Sequence, residues 1–167
     1  MGKKLIIAEK PSGAADIARA LGGFTRKSDY FESERYVLSS AVGHLLELVV
    51  PDEFDVKRGK WSFKHLPVIP PRFSLAPLEK SEPRLNLLLR LIKRKDVASL
   101  VNACDAGREG ELIFRYIAQH AKTKKPIERL WLQSMTPQSI RQGFASLRRD
   151  KELLPLPSPE LRRWRRR

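Results

Sequence analysis

Two stretches of the chain share one grammar, and it limits the fold more than any other feature. Residues 4–8 (KLIIA) form a short apolar run that leads through Glu9-Lys10-Pro11-Ser12 into a helical pattern. There Ala14, Ile17, Ala18 and Leu21 recur at 3.6-type spacing, and Gly22-Gly23 stops the helix. Residues 97–103 are a second such run; Asp105 follows it, and A-G-R-E-G-E turns into a helix over 109–120. Short apolar runs bounded by turn residues read as buried strands. Strands alternating with helices predict a mostly parallel α/β sheet covered by helices on both faces.

The rest of the chain conforms. Residues 36–40 and 127–132 read as further strands, and 85–92 as a helix with Leu85, Leu88, Leu89 and Ile92 on one face. Thr136 as N-cap and Pro137 at the first helical position open a last helix reaching Leu147. One domain is expected over residues 1–150. Within it, 51–83 reads as an irregular proline-rich excursion, too rich in Trp61, Phe63 and Leu66 to be mere linker. Residues 151–167 read as a basic, disordered tail.

Charge narrows the partner. Lys and Arg number 33 against 19 Asp and Glu, a net charge of +14. Five of those charges lie in residues 162–167, so the remainder still carries +9 (14 − 5). Such a field favours polyanions, nucleic acid first and anionic membrane second. Cys104, the one cysteine, excludes an internal disulfide and a cysteine-cluster zinc site. No apolar run approaches the roughly 18 residues of a membrane span, and the amino end is too weakly apolar for a secretory signal. The expectation is a cytoplasmic domain facing nucleic acid, with no membrane partner.

Ligands of open parallel sheets gather at the carboxyl ends of the strands, and two strands here deliver acids there: Glu9 and Asp105. Glu109, four residues past Asp105 across a Gly107 turn, sits in a first helical turn where the dipole favours an anion. Each acid alone has an ordinary structural explanation as a cap or dipole partner, and Glu111 reads as a plain exposed helical acid. Three carboxylates together would repel unless a cation sat among them, and oxygen ligands of this type suit Mg²⁺. An acidic pocket within a strongly basic chain makes sense where metal and phosphate meet. Lys10 and Arg108 would contact the phosphate there, or are surface residues.

Five blocks sharpen the reading: IIAEKPSGAADIARALGG, SSAVGHLLEL, WSFKHLPVIP, NACDAGREGELIFRYI and RLWLQSMTPQSIRQGFASL. From Lys4 to Leu147, in order and spacing, they resemble the amino-terminal TOPRIM domain of bacterial type IA DNA topoisomerases of the topoisomerase III group. The resemblance implies a Rossmann-like fold and, for the full-length parent, Mg²⁺-dependent, ATP-independent cleavage, passage and rejoining of DNA strands. It also implies a nucleoid- or plasmid-associated setting and a helicase partner.

By the same resemblance Glu9 is a metal ligand and proton-transfer group, Lys10 helps place the phosphate, and Asp105 and Glu109 bind Mg²⁺. His44 shapes the site or touches backbone phosphate. Trp61 contacts DNA by stacking on an unpaired base, or else anchors the excursion to the core. Position 107 is Gly where the commoner family pattern has a further Asp, leaving fewer carboxylates for a second metal. The cleaving tyrosine of the family lies on another domain, and none of Tyr30, Tyr36 and Tyr116 matches its motif. A truncated chain or gene fragment is therefore expected, binding Mg²⁺ and DNA without relaxing supercoils. The rivals are a stand-alone nucleic-acid-binding module and a small TOPRIM nuclease or primase-like protein.

Overall fold

The computed structural model describes residues 2–49 and 74–149. Its elements in order are β1 (Lys3–Ala8), α1 (Pro11–Leu21), β2 (Thr25–Arg26), β3 (Phe31–Glu32), β4 (Tyr36–Ser40), β5 (Leu46–Val49), β6 (Ser74–Pro77), α2 (Glu82–Ile92), β7 (Val97–Ala103), α3 (Arg108–His120), β8 (Ile127–Arg129), α4 (Pro137–Ala145) and β9 (Arg148–Arg149). Seven strands form one sheet in the order β2-β3-β4-β1-β7-β8-β9, and β5 and β6 form a separate antiparallel pair. The four inner strands run parallel: β1 pairs with β4 and β7, and β7 with β8. The short outer strands pair antiparallel.

β1 is apolar without alternation because both of its faces are covered. Leu5 and Ile7 enter one core with Leu85, Leu88 and Leu91 of α2 and Ile113, Phe114 and Ile117 of α3. Ile6 and Ala8 enter the other, with Ala14, Ile17 and Ala20 of α1 and Ile140 of α4. Burying a side chain such as Phe114, which is fully enclosed, contributes about 1.5–3 kcal/mol. The expected α/β sheet with helices on both faces is the observed one.

Several boundaries differ. The end of the 51–83 excursion is regular: Ser74–Pro77 pairs with Leu46–Val49, a 3-10 turn follows at Glu79–Ser81, and α2 begins at Glu82. The expected 127–132 strand stops at Arg129; Leu130 still donates its N–H to Asn102 O, but Trp131 is already 38% exposed. α4 ends at Ala145 because β9 then folds back onto β8. The two-residue strands β2, β3 and β9 are too short to show a period. Trp61, Phe63, Leu66 and the 151–167 tail lie outside the described residues. Among the described residues no helix is long and apolar enough to cross a membrane.

Topology fixes where a site belongs. β1 connects through α1 on one face to β4 on its left, whereas β7 connects through α3 on the other face to β8 on its right. The connections part between β1 and β7, and a crevice opens above the carboxyl ends of strands at such a switch point.

Candidate functional site

Glu9 follows β1 and Asp105 follows β7, and these strands are neighbours with Ala8 opposite Ala103. The two acids therefore meet. Glu9 Oε2 accepts the Asp105 N–H at 3.3 Å. Lys10 places its ammonium between the carboxylates, 3.9 Å from Glu9 Oε1 and 3.5 Å from Asp105 Oδ2. The Glu9 side chain is 11% exposed, whereas Asp105 is 69% exposed. Glu9 is thus a tethered group at the floor, and Asp105 an exposed carboxylate at the rim beside Lys10.

Glu109 lies in the first turn of α3 and faces His44, with Oε1 3.6 Å from Nδ1. The three acids do not form one cluster: among the described residues no three His, Cys, Asp or Glu side chains gather closely enough to hold an ion. Each negative group has its own neighbour instead, Lys10 between Glu9 and Asp105, and His44 beside Glu109. Arg108 is exposed at the same helix start. Trp61 lies outside the described residues.

Backbone packing holds this arrangement. Val42 and Gly43 both donate their N–H groups to Glu9 O, at 2.9 and 3.3 Å, with Val42 at φ +62°. A β-branched residue in the left-handed region is strained, so the loop carrying His44 is held against β1 at some cost. On the other side, α3 comes so close that a Cβ at Gly110 would stand 2.5 Å from Asp105 O and 2.8 Å from Glu9 Oε2. Gly107, by contrast, has extended backbone (φ −137°) and, among the described residues, open space where a side chain would project. Gly110, not Gly107, is the glycine the local geometry requires.

Two helix N-termini open on the same crevice, α1 at Pro11 directly after Lys10 and α3 at Arg108. Both start without a side-chain cap, so their free N–H groups add to a field that favours an anion such as phosphate. Asp105 and Glu109 each offer a well-exposed carboxylate, the first beside Lys10 and the second beside His44. That suits Mg²⁺, which takes one or two carboxylates and keeps several waters. The position of the Lys10 ammonium between two carboxylates is itself one where positive charge is favoured.

Two features escaped the sequence. Arg129 is 3% exposed and binds the backbone where β7 leaves the sheet. Glu111, expected to be a plain exposed acid, is half-buried: it accepts from Asn102 Nδ2 at 3.0 Å and from Arg115 Nε at 2.7 Å. The i, i+4 spacing of Glu111 and Arg115 was the only available signal. Cys104 lies beneath, its thiol pushed up to about 12 by burial, which makes it inert packing. Tyr36 packs against Phe24 and Phe144, and Tyr30 and Tyr116 against the α2–α3 core.

Comparison with known proteins agrees with this fold. The Toprim domain family matches residues 4–135. A protein named DNA topoisomerase 3 from Bacillus cereus (strain ATCC 14579) is 42% identical over 151 residues, 90% of this chain and 21% of that protein. The protein of the same name from Bacillus subtilis (strain 168) is 40% identical over 152 residues, 91% of this chain and 21% of that protein. The chain spans about a fifth of the length of these relatives. Full-length topoisomerase I from Thermotoga maritima aligns with a TM-score of 0.55 at 21% identity, over 87% of this chain and 21% of that one, which bears on the fold alone. The chain belongs to the Toprim domain family, and it matches the amino-terminal region of bacterial DNA topoisomerase 3.

Proposed function

We propose that this domain holds Mg²⁺ and a DNA phosphate at the β1–β7 edge, as the metal-binding part of a topoisomerase III that breaks and rejoins one DNA strand. The observation that carries the reading is the convergence of Glu9, Lys10 and Asp105 at the switch point of the sheet. Asp105 and Glu109 would hold the metal, which neutralises charge on a phosphate oxygen when bound. Lys10 would orient the phosphate. Glu9, tethered at the floor with Oε1 turned to Lys10, would take or return a proton at the 3′ oxygen. His44 and Arg108, exposed beside the same edge, would contact neighbouring phosphates, and Trp61 an unpaired base. These groups bind, orient and move a proton; the three tyrosines are occupied in packing, so the chain on its own should hold metal and DNA without relaxing supercoils.

The test is Mn²⁺ titration by water-proton relaxation on the wild-type chain and on Asp105→Asn, with single-stranded oligonucleotide binding measured against salt. Loss of the metal site in the variant, with an unchanged melting temperature, is expected. Log affinity for DNA should fall linearly with log salt, as phosphate-dominated binding requires. Equal Mn²⁺ affinity in both proteins would leave only a nucleic-acid-binding module, and nicking of single strands by the chain alone would point to a nuclease.

A further inference from the structure

We infer that Arg129 is the positioning residue of this site: from beneath the sheet edge it fixes the backbone that aims Asp105. The inference rests on the metal-binding reading above. Arg129 Nη1 donates to Asn102 O at 3.0 Å, Asn102 Oδ1 at 2.8 Å and Cys104 O at 2.8 Å. Nη2 donates to Asp105 O at 3.0 Å, and Nε stands 3.7 Å from Glu111 Oε2. The guanidinium therefore addresses consecutive turns of one segment.

The physical need is plain. β7 leaves the ladder at Ala103, so the C=O of buried Cys104 has no strand to accept from, and a buried carbonyl left without a donor is costly. Burying a cation also carries a penalty unless its donors are matched, and burial does hold this guanidinium below its usual pKa. The cost is offset because the planar fork meets a ring of oxygens.

The consequence reaches the rim. Asp105 is pinned at both ends of its own backbone, its C=O by Arg129 and its N–H by Glu9 Oε2. Asn102 Oδ1 also accepts the Cys104 N–H at 3.1 Å, and Gly107 donates to Asp105 O at 2.8 Å. Glu111 joins this network to α3 through Asn102 and Arg115, so the helix that carries Glu109 is tied to the same cation. Arg129 thereby couples Asp105 to Glu109 without touching either carboxylate.

Arg129→Lys keeps the charge and removes the fork, and Glu111→Gln, at a half-exposed position, loosens the hold on Nε while sparing the fold. Each is compared with wild type and Asp105→Asn, using Mn²⁺ alone at a temperature where all are folded. Partners that orient metal ligands typically set affinity by about 10–100-fold. Arg129→Lys should therefore raise the Mn²⁺ dissociation constant about 10-fold, and Glu111→Gln by a smaller factor in the same direction. Exchange of the Cys104 and Gly107 amides should quicken in both.

A purely structural arginine would lower the melting temperature and leave Mn²⁺ affinity per folded molecule unchanged. Wild-type affinity in folded Arg129→Lys, with binding lost in Asp105→Asn, overturns the inference and leaves the metal reading standing. Should Arg129→Lys not fold, Glu111→Gln decides: unchanged affinity and amide exchange overturn the inference. Wild-type affinity in Asp105→Asn removes the metal reading itself, and this inference with it.

Discussion

Gly110→Ala should damage the protein although alanine is the better helix former. In an unobstructed helix the change gains about 1 kcal/mol. At position 110 the added Cβ would lie 2.5 Å from Asp105 O, 2.9 Å from Asp105 N and 2.8 Å from Glu9 Oε2, against 3.4–4 Å for ordinary contact. Relief at the first atom requires about 0.9 Å of movement, and that atom is backbone held by Arg129. Overpacking of this kind costs about 1–3 kcal/mol, and breaking the Asp105 N–H bond to Glu9 adds about 1 kcal/mol. With the propensity gain subtracted, a net loss of about 1–3 kcal/mol remains, a drop of roughly 3–10 °C in melting temperature for a chain of this size.

Gly13→Ala in α1 is the control. Among the described residues its Cβ would meet only Met135 Cε at 3.8 Å, so that variant should gain about 0.5–1 kcal/mol. Thermal melts of the two variants should move in opposite directions, and Mn²⁺ affinity should fall only in Gly110→Ala. If Gly110→Ala melts at or above wild type with unchanged Mn²⁺ affinity, α3 is not seated on the Glu9–Asp105 contact and the reasoning fails.

Glu32 accepts from Lys3 Nζ and from Arg94 Nη2, each at 2.6 Å, and the Arg94 hydrogen bonds, followed by that of Lys3, hold its carboxyl down to about 2 from 4.5. A depressed carboxyl stabilises the fold fully above its unfolded pKa and less as pH falls toward the folded one. Glu32→Gln should thus cost about 3 kcal/mol at pH 7, with the gap closing between pH 4.5 and 2; urea melts across that range check it. Cys104, held protonated to about 12 by burial, should resist alkylation at pH 8 in the native state and react once unfolded, followed by mass spectrometry with and without urea. Gly107→Asp, where the backbone is extended and a side chain meets open space, should leave the melting temperature unchanged and raise Mn²⁺ affinity several-fold through the added charge, measured by the same relaxation titration.

The sequence by itself determined the alternation of buried strands and amphipathic helices, because apolar runs such as KLIIA and spacings such as Ala14, Ile17 and Leu21 are local consequences of chain geometry. It also placed Glu9 and Asp105 at strand ends, which in a parallel sheet means one edge. It could not announce β2, β3 or β9, two residues each, whose pairing comes from partners and not from period. Only the tertiary structure decided which strands are neighbours, and that adjacency brought the two acids, about 96 residues apart in the chain, within reach of one lysine. It turned Glu109 toward His44, made Gly110 rather than Gly107 the glycine that the packing of α3 on Asp105 and Glu9 requires, and set Arg129 and Glu111 beneath the site. Those roles depend on distances across the sheet edge, and no local pattern of residues encodes a distance between elements far apart in sequence.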